Sequence, residues 1–87
     1  MNHLPRPQPL VTAAQLGQLL KSARKQHKLT QSEVAGRLGL SQNRVSHLEL
    51  HPEELSFKQL LTWCAAVGLV IQLAERDASA KLPATEW

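Results

Sequence analysis

Apolar residues recur at helical spacing in four blocks between residues 12 and 68, and each block is preceded by a serine or a threonine. Thr12 followed three residues later by Gln15 has the form of a capping box, with Leu16, Leu19, Leu20 and Ala23 on one stripe behind it. This predicts a first helix from about Ala13 to His27. Thr30 with Glu33 repeats the pattern and opens a short second helix through Val34, Ala35 and Leu38, ended where Gly39 can take a left-handed C-cap. Ser41 caps a third helix, Gln42 to Leu50, which turns Val45 and Leu48 inward and must stop before Pro52. Ser56 with Gln59 opens a fourth through Leu60, Leu61, Cys64 and Ala65 to Val67, stopped by Gly68. Trp63 and Cys64 are expected in core and dimer packing, with the Cys64 thiol inert.

The period changes after Gly68. Leu69, Val70, Ile71, Gln72 and Leu73 form a β-branched, apolar run too brief for a helix, which predicts one strand. A single strand leaves its backbone donors and acceptors unpaired, so it needs a partner that the rest of the chain does not provide. The simplest partner is the same strand of a second copy, with Leu69, Ile71 and Leu73 as dimerisation residues. Residues 1–11, with Pro5, Pro7 and Pro9, read as a flexible arm, and 76–87 as a flexible polar tail ending in Trp87. The expected division is therefore arm 1–11, helical domain 12–68, dimerisation strand 69–75 and tail 76–87. The fold class is all-α, a compact bundle of four to five helices plus one C-terminal β-strand that completes a two-stranded intermolecular sheet.

Composition narrows what such a bundle can do. With 87 residues there is room for one modest core and little room for a catalytic cleft. One cysteine excludes an internal disulfide framework, and four scattered histidines without paired cysteines give no zinc-finger spacing, so no metal and no cofactor are expected. Ser22, Ser32, His27 and the glutamates do not fall at the spacing of a nucleophile, its base and an orienting group, so no catalytic residue is assigned. No apolar run approaches a membrane span, and the prolines interrupt any secretory segment, which leads to the expectation of a cytoplasmic protein with no membrane partner. The net charge of +3 conceals an asymmetry: through Arg44 there are seven basic residues against one acidic, and after it three basic against six acidic. A basic half suits a polyanion, although a solvated charged face is the plainer reading.

The second and third helices together carry the more specific signal. In QSEVAGRLGLSQNRVSHLEL, two helices joined by a short turn need a small residue where they touch and one tolerant of positive φ at the turn. Ala35 and Gly39 supply these, while Val34, Leu38, Leu40, Val45 and Leu48 face the core. That conjunction defines a helix-turn-helix. On a helical wheel the outer face of the third helix holds Asn43, Ser46, His47 and Leu50, with Gln42 at its leading end. Gln and Asn can pair in bidentate fashion with adenine, and Ser and His can donate or accept at several bases. Gln42, Asn43, Ser46 and His47 are therefore the candidate base-contacting residues. Arg44 on the flank, Gln31 at the second helix's N-terminus and the Ser41 hydroxyl are candidate phosphate contacts. Each has a blander role available: Ser41 as a cap, His47 and Asn43 as solvent-facing filler. Arg24 could touch phosphate or pair internally with Glu49, and the internal pair is favoured.

Here the residues resemble the phage-repressor and Xre class of helix-turn-helix domains, with Gln31, Ala35, Gly39, Val45, Leu48 and Glu49 at that class's positions. Within it the chain is similar to HipB-type antitoxins from Ala13 to Leu73, through LTQSEVAGRLGLSQNRVSHLE, Pro52, the strand and the final Glu86 and Trp87. The resemblance implies a buried Arg24–Glu49 ion pair and a homodimer that binds palindromic double-stranded operator DNA in its own promoter. It also implies a HipA-type serine/threonine kinase toxin as partner, held inactive by the antitoxin. Trp87 is the candidate toxin-binding residue; a terminal aromatic can also be incidental. The arm, Ser41 and Asn43 depart from the family pattern. A free-standing Xre-type repressor without a toxin is the alternative.

Overall fold

The computed structural model describes residues 8–75. Within them the four capped segments are helices: α1 Ala13–Gln26, α2 Gln31–Leu38, α3 Gln42–Leu50 and α4 Phe57–Ala66. All three capping boxes form. The hydroxyls of Thr12, Thr30 and Ser56 accept from the backbone N–H of Gln15, Glu33 and Gln59, and those side chains accept in turn from the cap N–H. Ser41 caps α3 by accepting from the Arg44 N–H at 3.1 Å. These contacts reach only three residues, so each stabilises its own helix start without tertiary help.

The helix ends are set by backbone geometry. Gly39 is left-handed, φ 71°, which lets the Leu40 N–H reach the Ala35 carbonyl at 2.9 Å and closes α2. Gly68, φ 77°, does the same for α4, with the Leu69 N–H on the Cys64 carbonyl at 2.8 Å. Between α3 and α4 the chain makes a one-turn 3₁₀ helix, Pro52–Glu54, which the hydrophobic pattern did not announce. Pro52 at its start needs no hydrogen-bond partner for its nitrogen and is buried.

All four helices contribute to one core of Leu20, Ala23, Val34, Ala35, Val45, Leu48, Trp63, Cys64 and Val67. On α4 the inward stripe runs through Leu60, Trp63, Cys64 and Val67, while Leu61 and Ala65 face solvent. Trp63 and Cys64 are buried within the single chain, as expected of core residues. Burial also pushes the Cys64 thiol pKa up, which disfavours the reactive thiolate.

α1 approaches α3 and the 3₁₀ turn through Gly17, which is buried on the α1 face. A β-carbon on Gly17 would collide with the Glu49 backbone carbonyl and lie 3.3 Å from the Pro52 ring. The close approach of these elements thus depends on a residue with no side chain.

At the two ends of the described chain, residues 9–12 are tied to α1 through Gln15. Its side-chain oxygen accepts from the Val11 N–H at 2.7 Å and its amide donates to the Pro9 carbonyl at 2.8 Å. Beyond Gly68, residues 69–75 belong to no helix and to no ladder within the single chain. Leu69 packs partly against the core, whereas Val70, Ile71 and Leu73 are exposed. The remainder of the arm and the tail with Trp87 lie outside the described residues.

Candidate nucleic-acid interface

Ser41 begins α3 with its side chain used as the N-cap, so the first turn projects Gln42, Asn43 and Arg44 outward, all exposed. One turn later Ser46 and His47 are half-buried on the same helix, and Val45, Leu48 and Glu49 are its buried residues. The 3.6-residue repeat thus places the four candidate base readers on the side away from the core. Leu50, also outward, is 74% exposed, an apolar group of the type that can lie against a thymine methyl.

A hydrogen-bonded chain runs from the core to the start of this face. Arg24 of α1 and Glu49 of α3, both buried, make a two-point ion pair, with Nε to Oε2 at 2.6 Å and a terminal guanidinium nitrogen to Oε1 at 3.2 Å. The other terminal nitrogen donates to the Leu29 carbonyl at 3.0 Å. The Gln31 amide donates to Glu49 Oε1 at 3.0 Å, and Gln31 Oε1 accepts from the Gln42 amide at 2.7 Å. Of the two readings of Arg24, the internal pair is the one the structure contains. Gln31, expected on phosphate, has both ends of its side chain occupied in linking Glu49 to Gln42. Its geometry is that of a brace: it holds the Gln42 amide and leaves the Gln42 oxygen for another partner. This role was invisible in the sequence because it depends on how α1, α2 and α3 meet.

An open, shallow cleft beside this chain is lined by Arg24, Lys28, Leu29, Thr30, Gln31, Ser32 and Gln42. It contains the N-terminal turn of α2, whose free N–H groups favour an anion, and the exposed Lys28. Lys28 itself takes a left-handed backbone, φ 57°, in the turn between α1 and α2.

At the far end of α3 the face carries charge that a wheel of the helix alone does not show. Glu54, from the 3₁₀ turn, places Oε1 2.9 Å from His47 Nε2 and 3.8 Å from an Arg44 guanidinium nitrogen. The hydrogen bond to His47 holds the Glu54 carboxyl below its ordinary pKa; slight desolvation opposes this, and the charges of His47, Arg44 and His51 add to the lowering. The His51 ring lies 4.6 Å from that of His47, centroid to centroid, and its Nδ1 is 3.6 Å from Glu53. Arg44 therefore has an internal partner beside any phosphate, and Glu54 is a member of the site that lay beyond a helix-stopping proline in the sequence.

A polar helix face with amides at its leading end, standing on a second short helix through a glycine turn, has the form that enters a major groove. The model of the family described as a helix-turn-helix domain matches residues 17–74. Among solved structures, a chain of a HipA-HipB-O2-O3 complex is similar to this one at 26% identity and a TM-score of 0.71, covering 80% of this chain and 99% of that one. A structure described as "MDT Protein" matches at the same identity, TM-score and coverage. A complex of a HipB variant with an O2 20mer shares the fold at 24% identity and a TM-score of 0.71, over 83% of this chain and 100% of that one. No curated protein sequence matches. The 58 matched residues run from within α1 to beyond α4 and so contain the whole motif, and the chain belongs to the helix-turn-helix domain family.

Proposed function

We propose that this protein is a HipB-like antitoxin, a non-enzymatic regulator that represses its own operon by binding palindromic operator DNA as a homodimer and that binds a HipA-type kinase toxin. The observation that carries the reading is the match to a chain of the HipA-HipB-O2-O3 complex over nearly that chain's whole length. Gln42, Asn43, Ser46 and His47 contact bases in this reading. Arg44 and the start of α2 contact phosphates, with Gln31 bracing Gln42.

Dimerisation rests on the segment after Gly68. Val70 and Leu73 are 79% and 96% exposed, a cost that pairing with a second copy would remove. Leu69, Ile71 and Leu73 are assigned to that intermolecular strand, and Trp87 to the toxin contact. Ile71→Asp is expected to shift the protein toward monomer in sedimentation equilibrium and to weaken operator binding while the thermal midpoint of the monomer barely moves. Unchanged sedimentation would place the dimer contact elsewhere.

The functional test is titration of the upstream DNA of the protein's own gene, followed by fluorescence anisotropy at several salt concentrations. A salt-sensitive, sequence-dependent affinity is expected, with recognition helices about 34 Å apart across the two half-sites. Gln42→Ala should lower operator affinity about tenfold while leaving non-specific binding alone, since one amide–base pair is lost. Co-purification with the product of the adjacent gene distinguishes the antitoxin from a free-standing repressor.

A further inference from the structure

Glu54 is an acidic residue set against a helix face that would otherwise present only neutral and basic groups. Its backbone is fixed by the 3₁₀ turn: Pro52 is buried, the Glu54 N–H donates to the His51 carbonyl at 3.0 Å, and the Leu55 N–H donates to the Pro52 carbonyl at 3.0 Å. The side chain reaches His47 Nε2 at 2.9 Å, and the His51 ring lies beside that of His47, centroids 4.6 Å apart and tilted 31°.

We propose that Glu54 is a positioning residue for DNA reading, fixing which ring nitrogen His47 can offer to a base; this rests on the function proposed above for α3. An ionised carboxylate only accepts hydrogen bonds, so the hydrogen in this contact belongs to His47 Nε2. In the neutral imidazole Nδ1 is then left as an acceptor. An acceptor suits the amino groups of adenine N6 or cytosine N4 in the major groove, whereas the guanine edge there offers only the acceptors N7 and O6. With His47 neutral, Glu54 thereby favours adenine or cytosine over guanine at the base His47 faces. Its carboxylate also lies 3.8 Å from an Arg44 guanidinium nitrogen, for which a phosphate would compete. Because the carboxylate is solvent-exposed, its effect falls on base choice and not on folding.

The test is selection from a randomised operator by the full-length wild type, H47A, E54A and the H47A/E54A double variant, with thermal melts alongside. Wild type should select an amino-bearing base at one position of each half-site. H47A should lose that preference. E54A should weaken it roughly five- to tenfold at the same position and no other. The double variant should match H47A, and all four should melt at nearly the same temperature. A consensus unchanged in E54A, with binding merely tighter for every sequence, overturns the proposal and leaves Glu54 a repulsive charge. A preference that survives H47A overturns it equally. Failure of the wild type to select any sequence overturns the DNA reading of α3 and this proposal together.

Discussion

Glu49→Ala is expected to destabilise the fold by about 3–5 kcal/mol, because it leaves the Arg24 guanidinium buried without its counter-charge. Arg24 is 8% exposed, and after the substitution its described acceptor is the Leu29 carbonyl. A domain of this size has a total stability of roughly 5–15 kcal/mol, so the variant should be substantially unfolded at moderate urea concentrations. Urea denaturation followed by tryptophan fluorescence measures this directly. Replacing both partners, Arg24→Met with Glu49→Leu, should recover most of the loss, since an apolar pair of similar volume carries no desolvation cost. DNA affinity should stay low in that double variant. Glu49 also accepts from Gln31, which holds Gln42, so an apolar residue there removes the brace while restoring the core. Full recovery of both properties would show that the ion pair acts on stability alone. A loss below about 1 kcal/mol for Glu49→Ala would instead match a solvent-screened pair.

Gly17→Ala should cost about 3 kcal/mol, the upper end of the usual overpacking range, although alanine is the better helix former by about 1 kcal/mol. The added methyl meets a backbone carbonyl, that of Glu49, which cannot rotate aside as a side chain can. Relief requires α3 and the Pro52 turn to move away from α1. That movement carries the Arg24–Glu49–Gln31–Gln42 chain with it, so operator affinity should fall even where the variant remains folded. Gly36→Ala is the matched control: it lies inside α2, is exposed, and has open space where the β-carbon would stand. That substitution should stabilise the protein by about 0.5–1 kcal/mol. Paired melts of the two variants should therefore move in opposite directions. If both rise, the α1–α3 contact yields to the added methyl without cost.

Local chemistry made much of this protein legible before any coordinates. The capping boxes at Thr12, Thr30 and Ser56, the Ser41 cap and the glycine stops at Gly39 and Gly68 are contacts spanning a few residues, and they place the helix ends to within about two residues. Periodicity then identified Leu20, Val34, Val45 and Leu48 as core, and the helix-turn-helix followed from the short turn and its small residues. The outer face of α3 was readable for the same reason, since Gln42, Asn43, Ser46 and His47 are separated from the apolar stripe by helical geometry alone.

What only the tertiary structure decided involves residues far apart in the chain or faces whose periodicity is ambiguous. Leu61 and Ala65 fit an apolar stripe as well as Trp63 does, and only tertiary packing, chiefly on α2, chose which side of α4 is buried. Gly17 looked like an ordinary helix interior, because its importance lies in a carbonyl 32 positions away. Gln31 links Glu49 to Gln42 because the two converge on its side chain. Glu54 joins the reading face because the proline that ends α3 also folds the next turn back beside His47. Sequence by itself thus determined the helices and the face that α3 turns outward, through interactions spanning three or four residues. Which groups hold that face in place was decided by the close approach of α1 to α3, where the buried charges of Arg24 and Glu49 had to find partners because little water reaches them.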